Sequence, residues 1–341
     1  MKALRRAGWS VHVVAEWEYV PIRWEGAAMK AIGRLTRPAA VREFNDALVG
    51  WAEKLRPELL MVFKGMFVRR ETLQELRRRA IRTYCFYPDV SFRAHGPYLP
   101  SALPEYDWVF TTKTFGLEDM RAQLGISRAS VLLHAFDPDL HGPRALSESD
   151  RGRYACDVSF IGTWSPKKER LLATLVERRP GIRVRVWGEQ WFKARAPALR
   201  SSIVGYGIEG EEYVRAINAS TINLGILSER RTGASSGDRI TSRTFHIPAC
   251  DAFLLHERTD EVTQIFPEGS AIGCFADADE LVVHVDEYLE HADRRRAMAR
   301  HAYDIVRTAH SWDHRIETIL ERHRLAVRSG TAPASPALSL P

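Results

Sequence analysis

The stretch GDRITSRTFHIPACDAFLLH, residues 237–256, reads as a polar loop, a short helix and a buried strand in succession. Ser242 stands where a helix N-cap belongs, and residues 252–256 are apolar up to a closing histidine. A helix entered this way points unpaired backbone N–H groups and the positive end of its dipole at whatever precedes it, which suits a phosphate. Asp238, Arg243 and His246 cluster around this turn in an otherwise apolar setting. Two readings stand side by side. In the local one, favoured by spacing alone, Asp238 caps, Arg243 pairs with a neighbouring acid and His246 is a satisfied core histidine. In the ligand-directed one, Asp238 accepts from sugar hydroxyls, His246 bonds a ribose or neutralises a phosphate, and Arg243 forks onto a diphosphate.

Outward from this stretch the chain alternates. Strands are expected at residues 158–162, 184–187, 222–226, 253–256 and 272–275, with helices at 168–177, 211–219 and 280–289. The earlier half shows the same rhythm. Strands at 59–63, 81–86, 108–112 and 131–134 alternate with helices at 41–55, 72–79 and 116–124. This pattern predicts an α/β protein of two doubly wound, Rossmann-like domains facing a cleft, with ligands at the carboxyl ends of the strands. The expected divisions are residues 1–140, a polar linker at 141–153, a second domain at 154–310, a helix at 311–328 that crosses back, and a disordered tail from 329. Residues 1–8 read as the end of a helix and 11–15 as a strand, so the first domain lacks an opening strand and glycine turn. Either the start lies upstream or the sheet is built without that strand, which would leave a gap in it. Residues 16–40 read as irregular, with Trp17, Tyr19 and Trp24 offered to an acceptor.

Composition bounds the function. The chain has 341 residues, 45% hydrophobic and 27% charged, with a formal charge of +6. The excess is modest and spread along helices, as at Arg77, Arg78 and Arg79, which argues for solvated faces and against a nucleic-acid surface. A mildly basic surface suits an anionic nucleotide or peripheral contact with anionic lipid. The cysteines at 85, 156, 250 and 274 show no paired short spacing and read as reduced, buried thiols. No apolar run reaches a membrane span and no secretion signal opens the chain, so a cytoplasmic location is expected.

Three further turns of the second half stand at strand ends. Gly162-Thr163-Trp164 precedes a helix opening with Lys167, Lys168 and Arg170, Trp187-Gly188 follows the next strand, and Gly205-Tyr206-Gly207 precedes the helix at 211. Each is weak alone, since a βα turn with surface lysines, or a core tryptophan, explains it locally. Their repetition carries more weight.

The pieces PELLMVFKG (57–65), YDWVFTTK (106–113), CDVSFIGT (156–163) with Arg170, VRVWGEQW (184–191), ASTINLGIL (219–227), RTFHIPACDAFLLHERTDEV (243–262) and DELVVHVDEYL (279–289) occur in order over most of the chain. Together they resemble the CgeB-like, spore-maturation-type glycosyltransferases, relatives of group 1 transferases with a GT-B fold. The resemblance implies a sugar-nucleotide donor held by the C-terminal half at Gly162, Thr163, Trp164, Lys168, Gly188, Tyr206, Asp238, Thr241, Ser242 and His246. It implies an unidentified saccharide, protein or lipid acceptor and no permanently bound cofactor. Absence of a DxD pattern fits a GT-B enzyme without a metal ion. Departing diphosphate would be stabilised by Arg170, Lys168 and Arg243. If the reaction inverts, Asp89 and His95 are the candidate bases.

At the places of the family's Glu-x7-Glu pattern this chain has Asp238 and His246, and Asp251 replaces a glycine common in relatives. A buried Asp251 would need a partner. A non-catalytic sugar-nucleotide-binding or assembly protein of the same fold and a nucleotide-sugar epimerase are the alternatives.

Overall fold

The computed structural model describes residues 1–20 and 27–330. The chain forms two compact units: Met1–Leu133 with Arg230–Ser236 and the described residues from Ile316 on, and His134–Glu229 with Gly237–Arg315.

The first unit holds a four-stranded sheet, β1 (Leu59–Phe63), β2 (Arg82–Tyr87), β3 (Trp108–Thr111) and β4 (Ala129–Val131), in the order β1-β2-β3-β4. All three pairings are parallel, as connections through helices require. Alternation along the strands divides the core. Cys85, Tyr87 and Val109 pack with Val41, Phe44 and Leu48 of the helix Ala27–Leu55 and with Leu73 of the helix Arg70–Arg78. Their neighbours in the strands meet the C-terminal helix Trp312–Arg328. There the Arg322 guanidinium lies 3.7 Å from the centre of the Trp108 ring, and His323 meets Tyr84 edge-on.

The second unit holds five parallel strands in the order β6-β5-β7-β8-β9. They are β5 (Cys156–Ile161), β6 (Val184–Trp187), β7 (Ser220–Gly225), β8 (Leu254–Glu257) and β9 (Gly273–Phe275). Val158, Phe160, Ile222, Leu224 and Leu255 form its core with Leu172 and Leu175 of the helix Pro166–Arg178 and Leu281 and Val285 of the helix Ala278–Glu290. From β5 the chain first builds outward to β6, then returns to place β7 on the other side of β5. The carboxyl ends of β5 and β7 are therefore the topological switch point of this sheet, where such folds take ligands.

Several expectations are corrected. Residues 11–15 form no strand; the His12 ring packs on Trp51 at 4.0 Å instead, so the apolar alternation meets a helix, not a sheet. Among the described residues the first sheet has no gap, because β1 to β4 pair consecutively and β1 is an edge. Residues 27–40 are helix, not irregular: the Ala-rich run outweighs Gly33, and the helix continues through Pro38. Glu16–Tyr19 is a short helix too, while Trp24 and residues 331–341 lie outside the described residues. The strand expected at 131–134 ends at Val131. The segment 141–153 lies within the second unit. Its SESD sequence, read as linker, is a capping box that starts the helix Glu148–Tyr154.

The helix Ala292–Ala309 was not expected. Its buried stripe is only Met298, Ala299, Ala302 and Val306, so small residues and many arginines hide its period. It supplies the partner Asp251 needs, Arg300, at 3.0 Å. Asp251 has φ +56°, a left-handed conformation in which glycine is at ease and other residues are strained by about 1 kcal/mol. The ion pair is solvated enough to contribute little. Asp251→Gly is therefore expected to stabilise by about 0.5 kcal/mol, read as a higher urea midpoint.

Candidate functional site

The switch point of the second sheet gathers two cations. Ser165 begins the helix Pro166–Arg178, its hydroxyl accepting from the Lys168 N–H, and Pro166 occupies the first helical position, where its missing donor costs nothing. Lys168 thus sits in the first helical turn with its side chain buried. Its Nζ donates to the Thr163 carbonyl (3.0 Å), just after β5, and to Ser228 Oγ (3.3 Å), just after β7. Arg243, opening the helix Arg243–Ala249, donates from Nη2 to the Ile226 carbonyl at 2.8 Å. Both cations lie against the Phe160 ring, at 5.8 and 5.2 Å.

This arrangement is electrostatically unsatisfied. Burial first, then the charge of Arg243, push the Lys168 ammonium down to about 8, against pulls from Asp238 and Glu229. The positive end of its own helix adds to the conflict. Arg243 Nε is buried without a hydrogen-bond partner. Two cations buried side by side, one with a nitrogen that makes no hydrogen bond, offer donors to an anion.

The glycines are shaped for this packing. A β-carbon on Gly162 would come within 2.9 Å of Phe160 and 3.0 Å of Arg243. Gly188 has φ +140°, and a β-carbon there would lie 2.1 Å from the Gly162 carbonyl oxygen. The two βα turns therefore touch backbone to backbone. Trp191 adds a hydrogen bond from Nε1 to the same carbonyl at 2.8 Å.

The other sequence candidates divide. Asp238 is coupled by charge to both Lys168 and Arg243, and its N–H donates to the Ser228 carbonyl at 2.9 Å. Thr241 has a buried hydroxyl without a hydrogen-bond partner. Ser242 occupies the N-cap position but its hydroxyl makes no capping bond; Thr244 Oγ1 accepts from the Thr241 N–H instead (3.2 Å). Thr163 contributes its carbonyl to Lys168. Trp164 turns away, donating to Glu169 at 2.7 Å, and lines a groove of about 610 Å³ with Phe192 and Lys193. Tyr206 is exposed and accepts from Arg153 at 3.1 Å.

Two expectations change. Arg170 is exposed on the helix face away from Lys168 and Leu172, so the structure does not bring it to the cations. His246 does not neutralise an anion. Its ring stacks on His141 with centroids 4.1 Å apart, its Nε2–H donates to the Ala135 carbonyl at 3.1 Å, and burial followed by the nearby histidines holds it well below the usual range. It is a neutral histidine whose edge also meets Tyr213.

Two acids escaped the sequence reading. Glu257, closing β8, accepts from Lys167 Nζ at 2.8 Å and from the Leu227 N–H at 3.0 Å. Glu229 accepts from the Lys167 N–H at 2.9 Å. Together they tie the β7 turn to the helix that carries Lys168. Their position at or just after strand ends was the available signal. Asp89 and His95, in the first unit, are 2.9 Å apart at the carboxyl end of β2. Among the described residues no group of three or more His, Cys, Asp or Glu side chains is placed to hold a metal ion.

Residues 167–321 match the glycosyl transferase-like family profile. No curated protein matches the chain at a significant level. Similar solved structures include sucrose-phosphate synthase from Thermosynechococcus elongatus, at 12% identity and TM-score 0.64 over 92% of this chain and 82% of that one. A glycosyltransferase from Rickettsia africae aligns at 10% identity and TM-score 0.61 over 90% and 85%. HepE of Anabaena in complex with UDP-glucose aligns at 12% identity and TM-score 0.57 over 87% and 84%. The chain therefore has the GT-B fold of two parallel-sheet Rossmann-like units, and its residues 167–321 carry the match to the glycosyl transferase-like family.

Proposed function

We propose that the chain is a glycosyltransferase that moves a sugar from a nucleoside diphosphate sugar to a saccharide acceptor, and that it is a CgeB-like member of its family. The observation that carries this reading is the pair Lys168 and Arg243 at the β5/β7 switch point. A diphosphate placed there would accept from both cations, including the Arg243 Nε that makes no hydrogen bond. Asp238 is then the acceptor for donor sugar hydroxyls, with Gly162, Gly188 and Thr241 shaping the turn around the anion. Arg170, Trp164 and Tyr206 take no part in the diphosphate site. His246 acts through packing and leaves its Nδ1 as an acceptor. In the transition state charge builds on the departing diphosphate, so preorganised cations stabilise it more than the bound donor. A non-catalytic binder and an epimerase find no separate support in the site.

UDP is the nucleotide to test first, because HepE binds it. UDP at about 100 times its Kd is expected to stabilise the wild type by about 2.7 kcal/mol, read as a raised Tm. No shift with any nucleoside diphosphate would remove the reading. No described helix is long and apolar enough to cross a membrane, and the four cysteines are buried and free. We place the enzyme in the cytoplasm on the strength of these reduced thiols.

A further inference from the structure

The second unit carries a groove of about 610 Å³ that the diphosphate site does not use. Its walls come from the turn after β5, at Trp164 and Pro166, from Glu169 of the helix Pro166–Arg178, and from residues 192–195 after β6. The local sequence fixes this shape. Gln190 takes φ +66° and opens the one-turn helix Trp191–Lys193. Trp191 is buried and bonded to the Gly162 carbonyl, so its neighbour Phe192 is turned to solvent and is 86% exposed. Glu169 ties the walls together. One of its carboxylate oxygens accepts from Trp164 Nε1 at 2.7 Å, the other from the Arg195 and Ala196 N–H groups at 2.6 and 2.7 Å. Burial would raise this carboxyl, but the three bonds prevail and hold it below the usual carboxylate range.

The chemistry of the lining is one-sided. Glu169 is its one acid, and both oxygens already serve donors. Lys193 and Arg195 are its cations, and both are exposed. Lys193 Nζ lies 5.6 Å from the centre of the Trp164 ring and 5.9 Å from that of Phe192, and it donates to Gln190 at 2.7 Å. An ammonium carries three donors, so two remain to offer a ligand. Flat aromatic faces give the C–H surface of a sugar ring broad dispersion contact. Ligand pockets of this size combine such walls with a few charged groups that fix orientation. A neutral sugar would leave both cations unused, whereas a sugar bearing an anion uses walls and cations together.

We propose that the groove is a second saccharide site for a sugar bearing a carboxylate or phosphate. The ring lies on Trp164 and Phe192, and the anion accepts from Lys193 and Arg195. That the occupant is a saccharide rests on the transferase reading above. The groove itself is separate from the diphosphate site, since neither Lys168 nor Arg243 lines it. A charged saccharide held there stays on the enzyme at a raised effective concentration.

The test is titration calorimetry on the full chain at low ionic strength. Tetragalacturonate and glucose 6-phosphate are the charged probes and maltotetraose the neutral one. At least one charged probe is expected to bind, more weakly as salt rises, and maltotetraose is not. Phe192→Ala and Lys193→Glu are each expected to weaken the charged probe by about 10-fold. Both side chains are exposed, so both variants keep the wild-type Tm and the wild-type Tm shift with UDP. Binding of neither charged probe, equal binding of maltotetraose, or unchanged affinity in both variants would overturn the assignment and leave the donor site standing. A UDP shift lost in Phe192→Ala would put a nucleotide in the groove and overturn it as well. So would capture on phosphatidylglycerol vesicles that Phe192→Ala abolishes, with neither charged sugar bound. Absence of any UDP shift in the wild type would instead defeat the transferase reading, whatever the sugars do.

Discussion

Replacing Lys168 by methionine is expected to raise the stability of the free protein at pH 7 and to abolish its response to UDP. The two effects have one cause. Lys168 is buried beside Arg243 in the first turn of its helix, and its ammonium is pushed down to about 8 from an unfolded value near 10.5. A lysine depressed on folding is protonated at a cost wherever both states hold the proton. That cost, on the order of 3 kcal/mol, is fully present below pH 8 and is relieved as pH rises from 8 to 10.5, because there the unfolded chain binds more protons. Methionine removes the charge and forfeits the bonds to Thr163 and Ser228, a loss of about 1–2 kcal/mol. The net expectation is a gain of about 1–2 kcal/mol at pH 7 by urea denaturation, vanishing towards pH 10. The same substitution takes a charge-assisted contact from the diphosphate and is expected to weaken UDP by about 100-fold. A merely structural lysine would show the reverse pattern, lower stability with nucleotide binding intact.

Gly188→Ala is expected to be the most damaging single methyl group in the second unit. The added carbon would stand 2.1 Å from the Gly162 carbonyl oxygen and 2.5 Å from its carbonyl carbon. Both are backbone atoms of a turn already fixed by Trp191 and by the Gly162 N–H bond to the Trp187 carbonyl. No side chain is there to swing away, and φ +140° is itself closed to alanine. The turn must move, and with it the Thr163 carbonyl that anchors Lys168. A loss of about 3–5 kcal/mol is expected, with nucleotide binding lost as well. Gly205→Ala is the control. It also has positive φ, but its added carbon meets nothing within 4 Å, so only backbone strain of about 1 kcal/mol applies.

The sequence disclosed the fold through its buried strands. LLMVF is an apolar run, and VRVW and TINLG are mostly apolar ones, all too short for helices, and their alternation with helical segments points to the parallel pairing found in both sheets. The misreadings have physical causes. VHVVA has the composition of a strand but no strand to pair with. The helix at 292–309 buries one methionine, two alanines and one valine in an arginine-rich run, so hydrophobic periodicity hardly registers it. At the diphosphate site, residue type was legible but direction was not. Lys168 and Arg170 are equally good cations in sequence, and two positions along a helix turn the second to the opposite face. His246 looked like a ligand because its partners, His141 and Ala135, are over 100 residues away in the chain. Glu257 and Glu229 passed unnoticed since their work is to hold backbone N–H groups and Lys167, which no motif announces.

The central claim is that the two cations at the β5/β7 switch point hold a nucleoside diphosphate. Titration calorimetry of UDP at pH 9, in two buffers of different ionisation enthalpy, tests it most directly. Lys168 is largely deprotonated in the free protein at that pH, and an arriving diphosphate favours its charged form. Binding should therefore take up close to one proton in the wild type and none in Lys168→Met, which should also bind about 100-fold more weakly. Equal affinity and equal proton uptake in the two proteins, or no UDP binding by the wild type, would contradict it.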